Sequence, residues 1–349
     1  MIKTYATKLA LGLIGRSKLA WAAKPFLGGS GAVLMFHHCG PRAPQYFGGN
    51  DHLTISPQFL QRLLEEFRTE CIDIVSLDEA IGRMANGNSQ KPYVALTFDD
   101  GYRDNIETAY PILQHFRVPF TVFVCSGFVD RQAPIWWLST ERIIQANDSV
   151  TFEVDGKLRT LNAGNKWQKR VAFRTVVEEI KSLPHDASMR KFEDFAERHN
   201  HDPRALVDHE MSTWEMLRKL NSDPLVTIGA HTISHPFLSK LSREDALHEI
   251  KCGAERIEHM LGSKPEYFAY PYGFAGTMGE REVDLVKEAG LKAAFTTRKG
   301  LLQPEHIASQ QALPRVSING NYQDIHAVRA LLSGVPFFMA NRFQRVQTV

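Results

Sequence analysis

The sequence predicts an α/β protein built on a parallel β-sheet wrapped by helices. Three observations predict it. Short apolar runs alternate with amphipathic stretches in the order β-α-β-α-β, and strands that are apolar throughout belong to sheets covered on both faces. One such run, Val94-Ala95-Leu96-Thr97-Phe98, ends in two adjacent acids, Asp99 and Asp100, and then Gly101, which permits a tight turn. In open sheets and barrels alike, that end of a parallel strand is where ligands and chemistry sit. Finally, 349 residues suffice for one large core, which leaves a barrel with an insertion and a two-domain chain as equal alternatives.

Residues 1–30 read as an N-terminal amphipathic segment. Met1 to Lys8 is mildly basic and Leu9 to Gly15 is apolar, but Arg16 and Lys18 end that run after seven residues, the short limit for a secretory signal. A helix lying on a membrane surface, with Lys3, Lys8, Arg16 and Lys18 towards the headgroups, fits better. The expectation is therefore a cytoplasmic, membrane-associated protein with peripheral membrane contact through its N-terminus, a weak export signal being the alternative. No apolar run reaches the length of a transmembrane helix.

Ala32 to Phe36 reads as the first buried strand, ending in His37 and His38, each a candidate site residue or a plain hydrogen-bonded loop histidine. Ser56 caps a helix with Pro57 at its first position and Phe59, Leu60, Leu63, Leu64 and Phe67 on its inner face. Asp73 to Leu77 reads as a short strand, Asp78 to Met84 as a helix, Asn86 to Lys91 as a loop, Asn105 to Phe116 as a helix and Pro119 to Val124 as a strand. The alternation stops between about residues 130 and 223, where Trp136-Trp137 precedes a hairpin over Val150 to Leu161 with Asp155-Gly156 as its turn, then charged helices from Lys166 to Glu197. This stretch reads as an insertion walling a cleft, its tryptophans either core or a stacking surface for sugar rings. The alternation resumes with a strand at Leu225 to Ala230, a helix at Arg243 to Leu261, a strand at Tyr267 to Tyr270, a helix at Glu280 to Gly290 and strands at Ala293 to Thr297 and Leu313 to Ile318.

With 41 basic and 39 acidic residues the chain has no electrostatic footprint for a polyanion, so nucleic acid is not an expected partner. Cys39, Cys71, Cys125 and Cys252 are scattered and lack CxxC spacing, and they read as reduced thiols.

Asp99-Asp100-Gly101 alone would read as a solvated turn. A second feature changes its weight: His231 and His235 follow a strand at a spacing of four, which across the start of a helix sets both imidazoles on one face. Two imidazoles and one carboxylate from another strand end make a three-ligand site with an open position, the mark of a catalytic metal. Either element alone is weak.

Three segments carry a family resemblance: Thr97-Phe98-Asp99-Asp100-Gly101, His231-Thr232-Ile233-Ser234-His235-Pro236 and Phe268-Ala269-Tyr270-Pro271-Tyr272-Gly273. In order and spacing they resemble the first three motifs of the polysaccharide deacetylases, carbohydrate esterase family 4, with the NodB homology domain. The resemblance runs from Gly31 to about Ile318 outside the insertion. It implies a distorted (β/α)7 barrel over residues 31–320, with residues 321–349 a C-terminal helical tail, that removes acetyl groups from N-acetylated amino sugars. It also implies Asp100, His231 and His235 as ligands of a divalent metal, usually zinc, Asp99 as general base, and the Tyr272 backbone amide, in the turn with Tyr270 and Pro271, as oxyanion donor.

The sequence departs from the family pattern at two points. Position 269 is alanine where many members carry an arginine that orients the base, and Arg315 is the candidate replacement. No Leu-x-His motif supplies the acid; His306 and His326 have the wrong surroundings, and His37 is the candidate, as in the subgroup acting on bacterial exopolysaccharide. The expected substrate is an N-acetylated glycan or glycolipid of the bacterial surface. A non-catalytic carbohydrate-binding relative and a metal hydrolase cutting another acyl or C–N bond are the alternatives.

Overall fold

The computed structural model describes residues 2–41, 46–87 and 91–349, with no side chain described for residues 2–4, 18, 19, 21 and 24. Parts of the loops before Asn50 and before Lys91, and the side chains of Lys3 and Lys18, therefore lie outside the described residues.

Seven parallel strands close into a barrel: β1 (Ala32–Phe36), β2 (Tyr93–Phe98), β3 (Phe120–Val124), β4 (Val226–Ala230), β5 (Tyr267–Ala269), β6 (Ala293–Lys299) and β7 (Leu313–Ser317). Neighbours in sequence are neighbours in space, and β1 closes the ring by pairing with both β2 (Leu34 opposite Leu96) and β7 (Leu34 opposite Val316). The ring is distorted where β2 meets β3 through Thr97 and Phe98 alone, while the short edge strand Asp73–Ile74 pairs with Tyr93 and Val94.

Because strand side chains alternate, each strand has a face towards the barrel axis and one towards the helices. Val94, Leu96 and Phe98 pack outward with Leu60 and Leu63 of helix Pro57–Thr69, while Tyr93 and Ala95 fill the axis with Val33, Phe123, Ala269, Phe295 and Leu313. Asp99 continues the inward set of β2, His37 that of β1 and His231 that of β4. The strand pattern thus delivers these residues to one end of the barrel.

Several elements differ from the sequence reading for local reasons. The strand expected over Asp73 to Leu77 stops at Ile74, since the Ser76 hydroxyl accepts the Glu79 N–H and starts helix Leu77–Ala85. The helix expected from Asn105 opens with a π turn, Asn105–Ala109, before Tyr110–Phe116. Pro111 has no N–H to give to the preceding turn and its ring crowds the carbonyl there, which widens the coil.

The insertion holds its own core. Helix Trp136–Ala146, the hairpin Ser149–Val154 with Lys157–Asn162, and helices Lys166–Ser182 and His185–Arg198 bury Ile144, Phe152, Val176 and Phe195 together. At the opposite end of the sequence order, helix Ile2–Arg16 docks on helix Ile325–Leu332 and buries Leu11 against Ala327 and Ala330, leaving Tyr5, Leu9 and Leu13 outward. Among the described residues no helix is long and apolar enough to cross a membrane.

Candidate active site

Asp99 sits at the axial end of β2, almost fully buried. Arg315 of β7 reaches it with a planar fork, Nη1 donating to Oδ1 and Nη2 to Oδ2, both at 2.7 Å. The guanidinium is itself held: Nε donates to the Thr296 carbonyl at 3.0 Å and Nη1 to the Thr97 hydroxyl at 3.2 Å. Burial alone would raise the Asp99 pKa, but the charges of Arg315 and then His231 outweigh it and hold the carboxyl below its ordinary range. The arginine missing at position 269 is thus met in space by one entering from the last strand.

Asp100 comes next in the chain yet reaches the same end, because its backbone turns left-handed (φ 75°) before Gly101 (φ 80°). Its Oδ1 lies 3.3 Å from Nε2 of both His231 and His235, and the three ligand atoms lie within 4.8 Å of one another. All three side chains are buried. His231 keeps its Nε2 towards the group through Nδ1, 2.7 Å from the Ala269 carbonyl, the kind of support that fixes a ligating imidazole. Burial pulls the His235 imidazole down to about 3 despite Asp100, so it is a neutral potential ligand.

The histidines do not share a helix face, contrary to the reading from their spacing. Residues 231–235 form an irregular loop, with Thr232 (φ 66°) and His235 (φ 59°) both left-handed, and the long helix starts only at Arg243. What shapes the loop is a carboxylate that sequence reasoning missed. Glu249, one turn and a half into helix Arg243–Leu261, accepts the N–H groups of Ile233 (2.8 Å) and Ser234 (2.9 Å) and the Ser234 hydroxyl (2.7 Å). Gly127 lets the loop after β3 lie against Ile233, its own N–H donating to the Ile233 carbonyl at 2.8 Å; a side chain there would collide with that carbonyl. Within the helix, an acid at position 249 gave no sign of facing inward.

The turn after β5 has its own geometry. Tyr272 (φ 61°) and Gly273 (φ 60°) are both left-handed, and a Cβ on Gly273 would meet the backbone of Thr297. Among the described residues the Tyr272 N–H donates to no protein acceptor. Its ring packs 4.7 Å from His235 and stacks on Phe237 at 4.0 Å. Tyr270 and Pro271 do not face the cavity. Tyr270 has the outward parity of β5, packs against Phe268 and donates its hydroxyl to the Gln311 carbonyl; the Pro271 carbonyl is taken by the Gly273 N–H.

Asp99, Asp100, His231, His235 and Tyr272 line a cavity of about 380 Å³ together with His37, Thr297, Lys299 and, from the insertion, Trp136, Trp137, Phe173, Val177 and Lys181. Phe173, Val177 and Lys181 recur every four residues, one stripe of helix Lys166–Ser182. The tryptophans are both core and wall: each is nearly buried, and their indole N–H groups donate to the Tyr272 and Tyr102 hydroxyls at 3.2 Å. His37 is drawn below its ordinary value by burial, against the pull of Asp100 and Asp99. His306 lies elsewhere, its Nε2 3.1 Å from the Gln347 carbonyl.

No functionally curated protein matches the chain. Among solved structures, IcaB from Ammonifex degensii superposes with a TM-score of 0.56 at 19% identity, covering 86% of this chain and 97% of that one. The Streptococcus pyogenes deacetylase PplD, solved with acetate, gives 0.55 at 17%, covering 83% and 92%. A de-N-acetylase from Aggregatibacter actinomycetemcomitans gives 0.53 at 17%, covering 86% and 99%. At such identities these show a shared fold. The polysaccharide deacetylase family model matches residues 86–294, more than half of the sequence and the span that holds both acids, both histidines and the Tyr272 turn. The chain therefore belongs to the polysaccharide deacetylase family, hydrolases of carbon–nitrogen bonds.

Proposed function

We propose that this protein is a metal-dependent N-deacetylase acting on N-acetylated amino sugars of a bacterial surface polysaccharide or its lipid-linked precursor. The observation that carries this reading is the two-point Arg315–Asp99 pair set beside the buried Asp100, His231 and His235. A glycan-binding relative would have no use for a second carboxylate oriented so tightly there.

The donor set fits a divalent cation, and two imidazoles with one carboxylate favour zinc. Asp100 Oδ1 is a buried oxygen with no hydrogen-bond donor, an arrangement that a cation would satisfy. Such an ion, when bound, acidifies water and polarises an acetamide carbonyl. Asp99, held ionised by Arg315, accepts the proton of the attacking water at a carboxylate oxygen. The Tyr272 N–H donates to the developing oxyanion, a contribution of about 3 kcal/mol. An amine leaving group must be protonated, and His37, neutral at rest on the same cavity, would accept a proton from solvent at its imidazole and donate it to that nitrogen, the water's proton on Asp99 going back to solvent.

Purified protein should carry about one zinc ion and release acetate from N-acetylglucosamine oligomers or glycolipids, with Asp99→Asn abolishing release while the metal stays bound. Metal-loaded protein that releases no acetate across a panel of polymeric and lipid-linked substrates would overturn the reading.

Charge distribution supports an enzyme resting on a membrane surface. The first 30 and last 19 residues hold seven basic and no acidic side chains, leaving the other 300 net negative. The same two segments expose Tyr5, Leu9, Leu13, Phe26, Met339 and Phe343, six of the ten exposed large apolar side chains described. Arg345 donates to the Phe26 carbonyl and so links the two segments. Basic and apolar groups side by side suit an anionic bilayer. Co-sedimentation with phosphatidylglycerol vesicles, lost with phosphatidylcholine alone or on Leu9→Glu with Phe343→Glu, is the expected result.

A further inference from the structure

Buried or half-buried lysines elsewhere in this protein have partners. Lys169 donates to three carbonyls, Lys191 to Glu179 and Lys240 to the carbonyls of Lys181 and Leu183. Two lysines on the wall of the catalytic cavity differ. Lys181, from the insertion helix, has its ammonium 5.3 Å from the Tyr272 ring and 6.0 Å from that of Trp136, and among the described residues it meets no carboxylate or carbonyl. Lys299 ends β6 at the solvent-exposed rim of the same cavity and forms no ion pair among the described residues. Among the described residues the only carboxylates lining that cavity are Asp99, taken by Arg315, and Asp100, in the candidate metal-ligand group.

A neutral N-acetyl sugar offers such cations hydroxyl and carbonyl oxygens but no counter-charge. Removing its acetyl group adds a further ammonium to the same cavity, and like charges repel. The arrangement makes sense when the substrate itself brings negative charge. We infer that Lys181 and Lys299 form an anion-recognition subsite for a phosphate or carboxylate carried next to the N-acetylated sugar. The inference rests on the proposed deacetylase reading and narrows it to anionic substrates: a sugar phosphate, as in a diphosphate-linked glycolipid, or a sugar joined to a uronate. Burial depresses the Lys181 pKa with no protein carboxylate to offset it, which an anionic substrate would reverse. The flanking rings favour the cation and fix it in place.

The test uses the zinc-loaded protein with three probes: methyl N-acetylglucosaminide, N-acetylglucosamine 1-phosphate, and N-acetylglucosamine linked to glucuronate. Affinity is measured by calorimetry and turnover by acetate release. Wild type should prefer at least one charged probe over the neutral one by about tenfold at low salt, the preference shrinking in 0.5 M sodium chloride as screening predicts. Which charged probe wins identifies the anion. The Lys181→Met, Lys299→Met double variant should bring the ratio of charged to neutral affinity to within about twofold of one, and Lys181→Arg should keep the preference. Equal affinities in wild type, or a preference that survives in the double variant because the metal alone attracts the anion, would overturn the subsite while acetate release leaves the deacetylase reading standing. Failure of all three probes to bind or react would overturn both.

Discussion

Arg315 and Asp99 are both almost wholly out of water, so each is the other's counter-charge and neither can be removed alone without leaving a bare charge. Arg315→Met should destabilise the protein by about 3–5 kcal/mol, the range for breaking a buried pair, read from denaturant melts. Arg315→Lys keeps the charge but loses the planar fork, so it should fold and still lose much of kcat. Its pH profile gives the sharper reading. With the fork gone the Asp99 pKa rises, so the acid limb of kcat/KM should move to higher pH; an unshifted limb would separate Asp99 from that limb. The Asp99–Asp100 pair was legible in the sequence because a strand followed by two acids and a glycine is a local pattern. The partner was harder to see, since Arg315 lies 216 residues away and is joined to Asp99 by barrel closure alone.

At the scale of elements, parity explains most of what the sequence foretold. Strands of known phase send His37, Asp99, His231 and Arg315 inward, and the same rule turns Tyr270 outward, which the motif taken as a block obscured. The His231–His235 spacing suggested the right neighbours for the wrong reason. Helical periodicity is one way to bring residues four apart together, and a loop with two left-handed residues is another. That loop depends on Glu249. Glu249→Ala should leave two backbone N–H groups unsatisfied and the Ser234 hydroxyl with His185 alone, and lower zinc affinity by about tenfold or more, as loss of supporting contacts around ligands does. A metal titration showing unchanged affinity would remove Glu249 from that role.

For the molecule as a whole, buried histidines set the response to acid. Burial depresses His37, His185, His201, His235 and His306 below the ordinary 6.5, whereas Asp104 outweighs burial at His38 and raises it. Where the folded value is lower, the unfolded chain takes up the proton first. The stability from these five is complete above pH 6.5 and is lost as pH falls below it, the His235 share draining away towards about 3. His38 works in the opposite sense, its contribution present below 6.5 and lost as pH rises. Five against one gives a melting temperature of the metal-free protein that falls steadily from pH 7 to pH 4, checked by thermal melts in the presence of a chelator. Zinc, which binds neutral imidazole, should steepen that slope. The barrel was foreseeable from alternation and family resemblance together. The packing of the N-terminal helix on the C-terminal one was not, because a segment that buries one small apolar stripe against its own chain reads in sequence like one that buries it in lipid.

The closure of the ring by β1 has a consequence for biosynthesis. Asp99 lies on one side of that strand, and the guanidinium that steadies it arrives on the other side with the last of the seven strands to be synthesised. A nascent chain already possesses both acids and both imidazoles long before this, yet it has nothing to pair with Asp99. That carboxylate gains its counter-charge only in a molecule whose sheet has already joined end to end.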